Sequence, residues 1–169
     1  MNSPFYIASL VAVISTFMVI TRKNAVHALL YLVVSLLSVA LIFFLLGAPF
    51  VAALEVIIYA GAIMVLFVFV IMMLNLGPQS AETEKQWLVP GIWVGPSVLT
   101  AILAAELIYV LGRGQLRPSD IHVVTPKQVG MTLLGPYVLG VELASLLLLA
   151  GLVGAFHLGR REKSDGGNS

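Results

Sequence analysis

Five long apolar stretches, separated by short polar breaks, make up most of this chain. They cover about residues 4–20, 26–46, 51–74, 90–111 and 136–158. A helix needs roughly 20 mainly apolar residues to cross the hydrocarbon of a bilayer. The first stretch is the shortest and draws on flanking residues to reach the interface. The breaks carry turn and charge signals. Thr21-Arg22-Lys23-Asn24 closes the first stretch, Gly47-Ala48-Pro49 the second, and Asn75-Leu76-Gly77-Pro78 the third. The next polar segment holds Glu82, Glu84 and Lys85, and Trp87 and Trp93 flank Pro90 where indole rings suit an interfacial belt. The longest connection, 112–128, includes Arg113, Arg117, Asp120, His122 and Lys127. Pro126 opens a short surface helix reaching Leu134, and Gly135-Pro136 interrupts the pattern again. The pattern predicts an all-α, polytopic membrane protein of five transmembrane helices, followed by a polar, disordered tail at 162–169.

Composition agrees with this pattern. Of the 169 residues, 60% are hydrophobic and only 10% charged, and the mean hydropathy is +1.05. Soluble domains carry about 25% charged residues, so lipid is the solvent that suits this chain. A net charge of +1 argues against nucleic acid or an acidic partner. There is no cysteine, which excludes disulfides, thiol chemistry and cysteine-ligated iron–sulfur clusters. His27, His122 and His157 lie too far apart to suggest a metal site. The first residues lack the basic region of a cleaved signal peptide, so the first stretch is expected to be retained.

Lysine and arginine set the expected orientation. With the N-terminus outside, the inner side receives Arg22, Lys23, Lys85, Arg160, Arg161 and Lys163, and the outer side Arg113, Arg117 and Lys127. The C-terminus is then cytoplasmic. No inverted repeat of the transporter type is evident.

Three carboxylates fall inside the spans: Glu55, Glu106 and Glu142. A carboxylate at membrane depth must find a partner, become neutral or reach water. The span cores hold no arginine or lysine. The available partners are therefore Tyr59, Tyr109, Tyr137, Ser145 or another subunit. In this orientation all three acids belong to the outer half. Glu106 lies near a span end, where packing or snorkelling is the plainer reading. Glu142 lies deeper and beside small residues, and its loss should matter more.

The third span contains Glu55-Val56-Ile57-Ile58-Tyr59-Ala60-Gly61-Ala62-Ile63-Met64. Steps of four and three residues put Glu55, Tyr59 and Ala62 on one helical face. Ala60-Gly61-Ala62 forms a narrow neck that allows close helix packing. A π-bulge could also form there at modest cost. Gly140 with Ala144, and Gly151, Gly154 and Ala155, read as contact faces of the fifth span. For His27 and His157 a headgroup or helix-end role outweighs proton relay.

Several stretches resemble a known family. They are NAVHALLYLVVSLL from Asn24, GAPFVAALEVIIYAGAIMVLFVFVIMMLNLG from Gly47, QWLVP from Gln86 and GPYVLGVELASLLLLAGLVGAFHLGR from Gly135. Over about residues 5–161 the chain is similar to the subunit J family of bacterial proton-pumping NADH:quinone oxidoreductase. That family is the counterpart of the sixth mitochondrially encoded subunit of respiratory complex I. The block from Tyr59 to Phe69 is the most specific part. The resemblance implies a membrane-arm subunit in the inner membrane, beside the A and K subunits and near the quinone-binding H subunit. It implies no redox cofactor on this chain, with FMN, iron–sulfur clusters and quinone held by other subunits. It implies that Tyr59, Gly61 and Val65 match a region switching between α-helix and π-bulge, and that Glu55 and Glu142 match family carboxylates. Glu55, Tyr59 and Glu142 are thus the candidates for proton coupling, and Glu106 joins them from its position alone. A subunit of a multi-component cation/proton antiporter is the alternative reading, and a purely structural scaffold a third.

Overall fold

The computed structural model describes residues 3–74, 90–112 and 123–159. Trp87, the acidic segment at 82–85, residues 113–122 and the tail from Arg160 onward lie outside the described residues. Every regular element among the described residues is helical. Helix α1 is Ser3–Thr21, α2 Ala25–Leu45 and α3 Pro49–Leu54. A π-helical segment, Glu55–Ile63, continues α3 and passes into α4, Met64–Leu74. Helix α5 is Pro90–Gly112, α6 Pro126–Leu133 and α7 Val138–Gly159. Among the described residues, five helices are long and apolar enough to cross a membrane; α3, the π segment and α4 make up the third. The chain divides into two compact units, 1–125 and 126–169.

In the first unit α1 and α2 form a hairpin. Its hinge is capped by Asn24, whose side-chain oxygen accepts the Val26 and His27 backbone N–H groups at 2.9 and 3.2 Å. Ala8, Val11, Val34, Leu41 and Leu103 form the apolar centre. A seam of hydroxyls crosses this interface. Thr16 and Ser35 hydrogen-bond at 2.8 Å, and Ser38 donates to its own helix at the Val34 carbonyl, 2.7 Å away. Apolar burial between helices gains little inside lipid, so small residues and hydroxyl bonds supply much of the helix association.

The turn after α2 is a Schellman motif. Gly47 takes φ 82°, where a side chain is disfavoured. The Gly47 N–H reaches the Phe44 carbonyl at 3.1 Å and the Ala48 N–H the Phe43 carbonyl at 3.0 Å. Pro49 then opens α3. The Val124 N–H donates to the Gly47 carbonyl at 2.8 Å, which ties the segment before α6 to this turn.

Near the other end of α2, Tyr31 is buried beneath Arg22, whose guanidinium carbon lies 5.5 Å above its ring. The His27 ring is centred 5.0 Å from the same ring. The Tyr31 hydroxyl packs directly against Gly95 of α5, leaving no room there for a Cβ.

In the second unit, the short helix expected from Pro126 ends at Leu133, and residues 134–137 form a turn. The fifth span therefore starts at Val138, two residues after Pro136. Within that unit α7 is exposed at every residue but the half-buried Gly154, and a Cβ at Gly140, Gly151 or Gly154 would meet open space.

Candidate functional site

The third span changes its hydrogen-bond ladder midway. At Glu55 the backbone N–H still reaches the Val51 carbonyl, four residues back. At Met64 the N–H reaches the Tyr59 carbonyl, five residues back, which is the π pattern. The nine residues between hold Glu55, Tyr59 and Gly61, and Val65 follows in the first turn of α4. All four candidates on this span therefore lie in the π segment or directly after it.

Their surroundings differ. Glu55 is half-buried, Tyr59 is 49% exposed and Val65 67% exposed, whereas Met64 between them is buried at 3%. At Gly61 both close helix packing and a π-bulge were expected to be open. A Cβ there would meet the Val56 carbonyl oxygen of its own helix at 3.2 Å, with no side chain within 4 Å among the described residues.

A cavity of about 480 Å³ adjoins the start of the π segment. Leu41 and Phe44 of α2, Ala52 and Val56 of the third span, and Leu103 and Leu107 of α5 are among its walls. The cavity leaves unfilled space beside Val56. Neither Glu55 nor Glu106 lines it, although Val56 and Leu107 are their chain neighbours.

Glu106 stands elsewhere. It is 8% exposed, and both carboxylate oxygens lack a hydrogen-bond partner among the described residues. It lines a second cavity with the first turns of α1. With α5 ending at Gly112, Glu106 sits about 9 Å inside its helix end at 1.5 Å per residue. With α7 starting at Val138, Glu142 sits about 6 Å inside its own. Glu142 is thus nearer its helix start than the roughly 9 Å that hydropathy gave, because the turn at 134–137 takes residues that hydropathy assigned to the span. Within its unit Glu142 is exposed, and the Ser145 hydroxyl donates to its backbone carbonyl at 2.7 Å. His157 lies exposed in the last turn of α7. Among the described residues no three of His, Asp and Glu could together hold a metal ion.

Two features escaped the sequence reading. The Gly95–Tyr31 contact gives no pattern, since it joins positions far apart in the chain. The burial of Glu106 depends on α1 packing over α5, which hydropathy does not report.

A helical membrane subunit with a π ladder at Tyr59–Gly61 can be compared with known proteins. The family profile described as NADH-ubiquinone/plastoquinone oxidoreductase chain 6 matches residues 15–158. The chain belongs to this family. The matched stretch contains every candidate residue discussed above; among the described residues it omits the first twelve of α1 and Gly159. A Pseudomonas aeruginosa protein named NADH-quinone oxidoreductase subunit J is 60% identical over 163 residues, covering 96% of this chain and 98% of the relative. The Escherichia coli protein of the same name is 56% identical over 164 residues, covering 97% and 89%. A more distant subunit J, from Buchnera aphidicola of Baizongia pistaciae, is 39% identical over 157 residues, covering 92% and 96%.

Proposed function

We propose that this chain is a membrane-arm subunit of a proton-translocating NADH:quinone oxidoreductase and helps couple quinone reduction to proton movement. The observation carrying the coupling role is the π ladder at Glu55–Ile63, which falls on Tyr59 and Gly61. A ladder of this kind can revert to α at low cost, since only the register of backbone bonds changes. Each residue absorbed in that reversion turns everything after it by about 100°, the angle per residue of an α-helix. Val65 and the apolar residues behind it would then face new neighbours. The cavity beside Val56 gives the segment room to move. A two-state element of this kind is what coupling between distant sites requires.

The redox chemistry belongs to other subunits. NADH, FMN, iron–sulfur clusters and quinone are assigned to them, and a chain without cysteine cannot supply cluster thiolates. The A, K and H subunits are the proposed neighbours. Glu55 and Glu142 are the proposed proton-coupling carboxylates. The positive-inside count puts the N-terminus outside and the C-terminus in the cytoplasm. Family membership favours this reading over the antiporter alternative.

The test removes the chain from its native membrane and restores it. Loss of proton pumping driven by NADH oxidation, recovered with the restored chain and accompanied by co-purification with quinone-reductase subunits, is the expected result. Intact quinone reduction and pumping without the chain, with cation/proton antiport lost instead, would overturn it.

A further inference from the structure

The cavity of about 380 Å³ between α1 and α5 is lined by Ser3, Pro4, Ile7, Ile102, Glu106 and Tyr109, among others. We infer that it is a socket for a lysine or arginine side chain from an adjoining membrane subunit, which pairs with Glu106.

Three observations converge on a cation. Glu106 is more than nine-tenths buried, and neither of its oxygens has a partner within the described residues. Leaving a buried acceptor unpaired costs the full desolvation penalty, and a charge costs far more. No basic side chain lines the cavity among the described residues, and Tyr109 is the one other titratable group lining it. A buried carboxylate with both oxygens unpaired is matched better by a basic partner than by an apolar one.

Depth favours a side chain over a lipid headgroup. Glu106 lies about 9 Å inside the described end of α5. Lysine and arginine stems can follow apolar walls such as Ile7 and Ile102 and deliver charge at their tip. The cavity volume accommodates either head. The family is named for one chain of a multi-chain enzyme, so adjoining helices are available. The inference rests on the proposed place in a membrane assembly, and not on the coupling role of the third span.

The test uses the whole enzyme in its native membrane, with assembled complex and turnover per assembled complex measured separately. E106K sets two cations against each other and should lower assembled enzyme by roughly tenfold or more, while E106Q should lower it less. Suppressors of E106K should restore assembly by converting one specific lysine or arginine of a neighbouring subunit to an acid. A photo-crosslinking residue at Ile102 should join the peptide carrying that same basic residue. Normal assembly of E106Q and E106K would overturn the inference. So would crosslinks to lipid alone, or a protonated-carboxyl infrared band that vanishes in E106Q. If quinone reductase subunits do not co-purify with the parent chain, the assembly reading itself fails, which these variants cannot mimic.

Discussion

Replacing Gly61 tests the ladder directly. In the π form its Cβ would stand 3.2 Å from the Val56 carbonyl oxygen, so that oxygen must yield by a few tenths of an ångström. The oxygen belongs to the backbone of the same helix and cannot swing aside as a side chain could. Overpacking of this sort costs about 1 kcal/mol at the mild end of its range, a roughly fivefold change in a two-state ratio. Gly61→Ala should therefore shift the third span toward α by about that factor. The general preference of alanine for helix, about 1 kcal/mol over glycine, favours both ladders and largely cancels. Gly61→Val adds two further carbons on a stiff β-branched side chain, for about 2 kcal/mol and a shift near thirtyfold. Both variants should insert normally, because each adds apolar surface. The assay is NADH-driven quinone reduction with simultaneous proton pumping, normalised to assembled enzyme, and a structure of the valine variant. Coupled turnover should fall in the order parent, alanine, valine. An intact bundle held in the α ladder indicates a blocked switch; a displaced helix of a neighbouring subunit indicates packing. A valine variant that assembles, pumps at the parent rate and still populates both ladders would refute the role assigned to Gly61.

Other consequences follow from separate parts of the molecule. Reporter fusions after Gly112 and after Arg161 should report opposite sides of the membrane, with the second cytoplasmic, and the same side for both would sink the five-span topology. Gly95→Ala drives a methyl group into the buried Tyr31 hydroxyl. It should cost about 1–3 kcal/mol, measured as a lowered thermal midpoint of the detergent-extracted complex. Adding Tyr31→Phe removes the colliding oxygen and should recover part of the loss; no loss in Gly95→Ala would contradict the contact. Glu142→Gln should reduce pumping per assembled enzyme more than Glu106→Gln does, because glutamine cannot exchange a proton and Glu142 is a proposed proton-coupling carboxylate, whereas Glu106 is proposed to hold an ion pair. Near-normal pumping in both would remove Glu142 from the mechanism.

Hydropathy alone determined the membrane setting and the number of spans, because transfer of apolar surface to lipid is additive along a helix and needs no tertiary partner. Gly and Pro marked the breaks for an equally local reason: Gly47 supplies a positive φ and Pro49 opens the next helix. The small-residue neck at Ala60-Gly61-Ala62 was legible as a weak point, but its use was not. Sequence left close packing and a shifted ladder both open, and the structure places the π bonds there with no neighbouring side chain at Gly61. The carboxylates show the limit most clearly. Counting residues from span ends ranked Glu142 as deeper than Glu106. The turn at 134–137 brings the start of α7 closer to Glu142 than that count assumed. Whether a carboxylate is sealed from water depends on which helix packs over it. For Glu106 that helix is α1, about a hundred residues away in the chain, a pairing that no local pattern encodes.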